Sequence, residues 1–422
     1  MPVESVSTGC CIVGGGPAGM LLGLLLVRAG VDVTVLEKHA DFFRDFRGDT
    51  IHPSTLEIMY ELGLLDDFLK LPHQEVRQLG VQIGNTFIPI GDFTHLPTHC
   101  KFLMFMPQWD FLNFIAERAR WYPTFRLRMQ TEAVGLLTAG DRVTGVRATS
   151  PQGDVEISAD LIVGTDGRHS TVRDQAGLEV VETGVPIDVL WFRLPRRPDD
   201  PGAAFGRLDQ GKMMVMINRG DYFQCGFLIH KDGYDELQRR GIESFREDIA
   251  QLAPFMRDRV VGLRDWSEVS LLTVKVDHLR RWYREGLLCI GDAAHAMSPV
   301  GGVGINLAIQ DAVAAANILA RPLLEKRISV DDLQRVQRRR EFPARVTQRV
   351  QVFIQNNVFR RVLAASGPTS PPWPMRLVQR WPLLRRLPAY AVGVGLRPEH
   401  VHTRDVRASE GDRAQARSPH PS

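Results

Sequence analysis

Gly14-Gly15-Gly16-Pro17-Ala18-Gly19 follows the apolar run Cys10-Cys11-Ile12-Val13 and opens the apolar stretch Met20 to Val27. A buried strand that turns on glycines into a helix makes a phosphate site, because the helix N-terminus offers free N–H groups and partial positive charge. Gly14 permits the tight turn, Gly16 lets a pyrophosphate approach the backbone, and Gly19 lets helix and strand pack closely. With Pro17 and Ala18 in its first turn, the helix runs to Ala29 and is closed by Gly30. Val31 to Glu37 reads as the second strand of a β-α-β unit of about 30 residues. Glu37 then stands about 20 residues past the glycines, where a carboxylate accepts the hydroxyls of an adenosine ribose and repels a 2′-phosphate. Lys38 adjoins it.

Two more glycine segments follow short apolar strands far down the chain. Leu161-Ile162-Val163 leads into Gly164-Thr165-Asp166-Gly167-Arg168. Leu287-Leu288-Cys289-Ile290 leads into Gly291-Asp292-Ala293-Ala294-His295 and on to Pro299-Val300-Gly301-Gly302-Val303-Gly304-Ile305-Asn306. An Asp-Gly pair such as Asp166-Gly167 is by itself a turn. Arg168, His169 and Arg173 add positive charge, which suits either a second nucleotide's phosphates or a solvated helix start. Asp292 is placed to hydrogen-bond sugar-alcohol hydroxyls. The Pro299–Gly304 loop opens a helix expected over 306–324, whose N-terminus suits the negative edge of a reduced flavin. Pro299 shapes that loop and its carbonyl is expected to face the ring, and His295 is either a structural histidine or a base; these two are the catalytic candidates. Together the three segments point to a site that wraps FAD.

The bulk numbers bound the rest. The chain has 422 residues, 44% hydrophobic and 24% charged, with net charge +3. That length calls for two domains, and the mild charge carries no nucleic-acid signature. Cys10, Cys11, Cys100, Cys225 and Cys289 lack metal-ligand spacing and read as reduced core cysteines of a cytoplasmic protein, with no metal. The N-terminal residues carry Glu4 and no basic run, so no secretory signal is expected. Met20 to Val27, the longest apolar stretch noted, is too short to span a bilayer.

The expected architecture is α/β. A discontinuous Rossmann-like FAD-binding domain takes 1–80, 106–180 and 277–365. A mixed β-sheet substrate domain, 81–105 and 181–276, is inserted into it. A C-terminal helical region spans 366–403, and a polar tail takes 404–422. Val155–Ser158 and Leu161–Val163 read as separate strands, and Pro343 is expected to kink or break the helix that Ser329 caps. The stretch Trp373 to Leu396 reads either as a helix pair packed on the flavin domain or as a weak membrane-surface contact.

The three segments together resemble the FAD-dependent aromatic hydroxylases, the single-component flavoprotein monooxygenases typified by p-hydroxybenzoate hydroxylase, over roughly Cys10 to Leu363. The resemblance implies that FAD is reduced by NADPH or NADH, takes up O2 as a C4a-hydroperoxide and hydroxylates a small phenolic, polycyclic or quinone-like aromatic. By resemblance, Arg47 (or Arg44 nearby) meets the pyrophosphate and Gln108 the ribityl chain. Asp292 binds a ribityl hydroxyl, and Gly302, Gly304, Ile305 and Asn306 lie along the isoalloxazine edge. Asp166 belongs to the motif serving both nucleotides, and Arg168, His169 and Arg173 lie where relatives receive the nicotinamide nucleotide. Thr165 stands where many relatives carry a small apolar residue. The substrate anchors of the p-hydroxybenzoate enzyme have no counterpart on the inserted sheet. Its candidates are Trp191, Met214, Met216, Tyr222, Gln224, Cys225 and Phe227. Other uses of the same fold are a flavin-dependent reductase, a halogenase (the Trp-x-Trp-x-Ile-Pro sequence of that class is missing) and a non-catalytic flavin protein docked in a biosynthetic assembly.

Overall fold

Strands that are apolar on both faces pair in parallel and need helices above and below. The computed structural model, which describes residues 3–43, 50–200, 206–364, 367 and 373–407, is built on such strands. Glu4–Val13 pairs in parallel with Val33–Leu36 on one side and Gly153–Gly164 on the other. Phe125–Arg128 and Leu287–Cys289 extend the parallel set at its two ends. Glu132–Ala139, Arg142–Ser150 and Tyr283–Arg284 add antiparallel strands, making eight among the described residues. Cys10, Cys11, Ile12, Ile162, Val163 and Leu288 are fully buried in this sheet. The two strands expected at Val155–Ser158 and Leu161–Val163 are one, because pairing with Glu4–Val13 supports the whole length.

Helices Pro17–Arg28 and Gly304–Leu324 pack against each other and the sheet. The second, taken from Val300, is apolar and long enough to cross a membrane by length and composition, and it outruns the Met20–Val27 stretch noted above. Some 78% of its apolar window is buried inside the protein, so its hydrophobicity is that of a core helix. Val330–Ile354 runs unbroken through Pro343, which overturns the expected break. Pro343 is buried there, and it withholds one backbone N–H from the helix. Ser329 caps this helix as expected, in a capping box with Asp332. A π-turn, Gln355–Phe359, follows it.

Among the described residues the inserted sheet has seven strands, in the order Ser270–Leu272, Ile187–Pro195, Tyr222–His230, Lys212–Asn218, Gly206–Asp209, Gln78–Ile83 and Thr86–Asp92. Leu103–Phe105 lies outside it, in a small sheet with Thr50–Ile51 and Gln74–Val76. The C-terminal helices Trp373–Arg380 and Arg386–Gly393 lean on strand Thr86–Asp92 of the inserted sheet. Residues 404–407, expected as part of a loose tail, are packed: Tyr122 donates to Asp405 at 3.1 Å, and Arg28 pairs with it at 3.4 Å.

One buried charge network joins these parts. Asp311, fully buried on Gly304–Leu324, accepts from Gly291 N–H at 3.1 Å, contacts His295 Nε2 at 2.6 Å and accepts from Arg340 Nε at 3.0 Å. Arg340 on Val330–Ile354 also donates to the Arg397 carbonyl at 3.0 Å and to Glu399 at 3.1 Å. Burial works against the charged forms of His295 and Asp311. Their mutual attraction outweighs it, raising the histidine pKa and lowering the carboxylate's.

Asp311→Asn is therefore expected to cost about 3–5 kcal/mol, because it breaks the buried pairs with Arg340 and His295 and leaves Arg340 with Glu399 as its carboxylate partner. Urea denaturation reads this, and a loss no larger than the roughly 1 kcal/mol of an exposed ion pair would show the network to be incidental. The His295 share is fully present below the unfolded histidine pKa and is lost as pH rises through the raised folded value. The stability gap between wild type and His295→Gln should then narrow from mildly acidic to alkaline buffer. A gap that widens refutes the assignment.

Candidate flavin site

All three glycine segments leave the carboxyl ends of adjacent parallel strands, where open α/β sheets bind their ligands. Val13 pairs with Gly164, and Gly164 pairs with Cys289, so the segments start side by side. Gly14 has φ +109°, and a Cβ there would lie 2.5 Å from the Thr165 carbonyl oxygen. A Cβ on Gly19 would collide with the Gly14 carbonyl. Around Gly16, by contrast, nothing lies within 4 Å of the Cβ position. Two glycines thus close the turn and the third leaves a cradle. The helix behind it has no side-chain cap and no acidic residue in its first turn, so its N–H groups suit a pyrophosphate.

Glu37 stands at the end of the neighbouring strand, 8% exposed. Its Oε2 accepts from Gly15 N–H at 3.1 Å, and its Oε1 accepts from the His39 backbone N–H at 3.0 Å. The carboxylate is thereby aimed across the first turn. Lys38 points outward, 3.9 Å from Glu132. Thr165 does more than its small size suggested: its hydroxyl donates to the Gly14 carbonyl at 2.7 Å and the Val13 carbonyl at 2.9 Å, stitching the second segment to the first. Gln108, half-buried, is the first residue of helix Gln108–Ala119, directly after Pro107. Arg44 and Arg47 lie outside the described residues.

In the second segment, Asp166 accepts from Ser170 Oγ at 2.5 Å and Val172 N–H at 3.2 Å. Burial pushes its pKa up against those hydrogen bonds. Its side chain shapes the turn into Thr171–Gln175. Arg168 Nε reaches Asp292 at 3.3 Å, which joins the second segment to the third. Arg173 is 6% exposed, and its guanidinium is spent on the carbonyls of Arg168 (2.5 Å) and Ala293 (3.5 Å) and on Asp277 (3.6 Å). Of the three basic residues read as a nicotinamide-nucleotide contact, His169 alone is exposed, Arg168 bridges, and Arg173 is interior.

In the third segment, the Pro299 carbonyl accepts from Gly302 N–H at 3.0 Å. Gly301 and Gly302 have φ +80° and +62°, which turn the chain into helix Gly304–Leu324. That helix has no side-chain cap and no acid in its first turn. Asn306 is buried, and its Oδ1 accepts from Ser54 and Thr55 hydroxyls, both at 2.9 Å. What it offers the site is therefore backbone. His295 is 1% exposed below the loop, paired with Asp311 and 4.9 Å from the Trp282 ring, so it has no open path to a substrate.

The sequence reading missed what holds this loop. Gln351 Nε2 donates to the carbonyls of Ser298 (3.0 Å) and Val300 (2.7 Å), and Gln348 Nε2 donates to Asp277 (2.7 Å) and Ala296 (2.9 Å). Gln355 donates to Ser298 Oγ. Their spacing, on one face of Val330–Ile354 and its π-turn, was a usable signal. His52, fully buried, contacts the Gly302 carbonyl at 3.0 Å and the Val392 carbonyl at 2.6 Å from its two ring nitrogens.

The pleat of the inserted sheet divides the substrate candidates. Trp191 packs with Val189, Leu228 and Leu272 on the face that also meets Val300 of the third segment. It pairs with Gly226, where a Cβ would lie 3.1 Å from its ring. Gln224 shares this face by register and accepts from Arg219 Nε at 3.1 Å; Tyr222 lies under Arg193. Met214, Met216, Cys225 and Phe227 alternate to the opposite face and pack with Phe245 and Ile249 of helix Ile242–Leu252. They are core, which corrects their reading as pocket residues: side chains one residue apart on a strand face opposite ways.

The residues present fit FAD: an empty cradle at Gly16, two helix N-termini free of acids, and carboxylates at 37 and 292 along one row of strand ends. The comparisons agree. The family model described as FAD binding domain matches residues 7–383. The chain is 34% identical to 6-methylpretetramide 4-monooxygenase of Streptomyces rimosus over 388 residues, 91% of this chain and 92% of that protein. It is 30% identical to dialkyldecalin synthase of Streptomyces rugosporus over 72% of this chain, spanning 63% of that longer protein. Among solved structures, p-nitrophenol 4-monooxygenase PnpA of Pseudomonas putida superposes with TM-score 0.71 at 22% identity, over 91% of this chain and 94% of that one, which shows the fold. The chain belongs to the FAD-dependent aromatic hydroxylase family and is an FAD-dependent monooxygenase.

Proposed function

We propose that this enzyme hydroxylates an electron-rich polycyclic phenol, using O2 and NADPH or NADH. The observation that carries the reading is the 34% match to 6-methylpretetramide 4-monooxygenase over 91% of this chain and 92% of that protein. A match of that extent takes in the inserted sheet, where the substrate is chosen, as well as the cofactor domain.

FAD, when bound, would supply the redox chemistry by which NAD(P)H and O2 are consumed, one oxygen atom going to the aromatic ring and the other to water. The chain's own share is binding, orientation and charge placement. Gly14, Gly16 and Gly19, with Pro17 and Ala18, hold the pyrophosphate at the start of helix Pro17–Arg28. Glu37 takes the adenosine ribose. Asp292, oriented by Arg168, takes a ribityl hydroxyl, and Gln108 meets the same chain. The backbone N–H groups at Gly304, Ile305 and Asn306 offer positive charge to the ring edge that becomes negative on reduction. The loop at Pro299–Gly302, braced by Gln351 and His52, sets the floor of the substrate pocket. Trp191, Gln224 and Tyr222 face it from the sheet. Trp191 Nε1–H is buried without a hydrogen-bond partner, a donor suited to a substrate oxygen. His169 and Arg168 are the residues we assign to the nicotinamide nucleotide, on their positive charge beside the second segment.

The dialkyldecalin synthase relative carries a name that is not an oxidation, so oxygen uptake is the measurement that matters. Polycyclic phenols are expected to accelerate NAD(P)H oxidation and O2 uptake with matching hydroxylated product. Uptake that ends only in hydrogen peroxide with every such phenol would sink the reading. Gly14→Ala should weaken FAD binding by at least about tenfold, or 1.4 kcal/mol, seen as loss of yellow absorbance on purification; Asp292→Ala should weaken it less. Full flavin content in both would overturn the assigned cradle. Trp191→Phe keeps an aromatic side chain and removes the indole N–H, one hydrogen bond worth about 1 kcal/mol, so KM should rise about fivefold with FAD content unchanged. An unchanged KM would remove Trp191 from the pocket.

A further inference from the structure

The stretch Trp373–Leu396 is apolar on two sides, and the fold uses one. Ala389, Gly393 and Val394 turn inward on Phe93 and Leu96, so closely that a Cβ on Gly393 would lie 2.7 Å from Leu96. The outer side carries Leu377, Trp381, Leu383, Leu387 and Tyr390, each 43–69% exposed. Scattered exposed apolar residues need no explanation, but a cluster on one elbow between two helices does. Arg376, Arg380, Arg385 and Arg386 lie among them, and no Asp or Glu occurs from 373 to 396. Arg385 donates to the carbonyls of Val378 (3.1 Å) and Gln379 (2.7 Å), which fixes its charge at the bend. Arg386 is exposed and within electrostatic reach of Asp92 on strand Thr86–Asp92.

Charge decides among occupants. A twofold dimer would lay this patch on its own copy, arginine facing arginine, with no carboxylate contributed by residues 373–396 and with Asp92 beside Arg386 against four arginines on each copy. An anionic lipid surface satisfies both halves of the patch. Leucines enter the acyl boundary, Trp and Tyr favour the interface, and the arginines stay with the headgroups. We propose that the Trp373–Gly393 elbow docks this enzyme flat on an anionic lipid surface. The docking does not depend on which aromatic the enzyme hydroxylates.

The test is sedimentation of the FAD-loaded full chain with vesicles of phosphatidylcholine alone or mixed equally with phosphatidylglycerol. The expected result is co-sedimentation with the phosphatidylglycerol vesicles only, declining as salt rises. Leu383→Glu with Leu387→Glu, and separately Arg380→Glu with Arg386→Glu, should each lower the bound fraction about tenfold. Both pairs should keep wild-type flavin absorbance and elution volume, which shows that they fold. The proposal is overturned if wild type stays in the supernatant with anionic vesicles, or if either pair of variants binds as wild type does. It is equally overturned if phosphatidylcholine vesicles bind as well. A wild-type dimer that Leu387→Glu dissolves, with no vesicle binding, would assign the patch to a second copy instead. Capture by an acidic protein without vesicle binding would assign it to a protein partner.

Discussion

The parallel register of three strands is the constraint on which the site depends. Val13 opposite Gly164 and Gly164 opposite Cys289 bring together segments that are some 150 and 125 residues apart in the chain. A slip of one residue would turn the apolar side chains of Gly153–Gly164 to the other face and move its glycine turn out of line. Thr165 guards this register, because its hydroxyl bonds the Gly14 and Val13 carbonyls across the strand boundary. A residue that looked like a mild departure from its relatives is thus the clasp between two halves of the cofactor site.

Behind the row of strand ends, polar groups do the holding. Asp311 gathers Gly291 N–H, His295 and Arg340, and Arg340 carries the connection to Glu399 near the end of the described chain. Gln348 and Gln351 fix carbonyls of the 296–300 turn, and Gln355 holds the Ser298 hydroxyl, from one helix face. A glycine-rich loop is floppy on its own, since glycine gives up the most freedom on folding. Side-chain amides that bind its carbonyls restrict it while leaving its N–H groups, and those of the following helix, for a ligand. The rigidity that positions a flavin ring comes from this outer layer.

Much of the cofactor half was legible in the sequence. Strand, glycine turn, helix, strand and Glu37 occur in order within about 30 residues, so local propensities and the fingerprint agree with the tertiary fold. Ser329 as a cap was legible for the same reason, since its partner Asp332 is three residues away. The inserted sheet was legible as a sheet but not by face. Strands buried on both sides lose the apolar–polar alternation that would have told Met214 from Trp191. Pro343 misled because a buried proline is tolerated inside a helix that tertiary contacts hold. Arg173 and His295 looked available because their charge was visible and their buried partners, Asp277 and Asp311, were not.

The sequence by itself determined the chemistry of the cofactor: which turns carry phosphate-binding N–H groups, which strand ends carry carboxylates, and hence FAD. Those properties are local, set by glycine's conformational freedom, a helix start and one side chain at a strand end. Only the tertiary structure decided which of the charged residues are spent inside the protein, which face of the inserted sheet meets the flavin loop, and which side of the C-terminal elbow stays bare. Each of those depends on partners distant along the chain. Burial and pairing are properties of a three-dimensional neighbourhood, which a linear pattern does not carry.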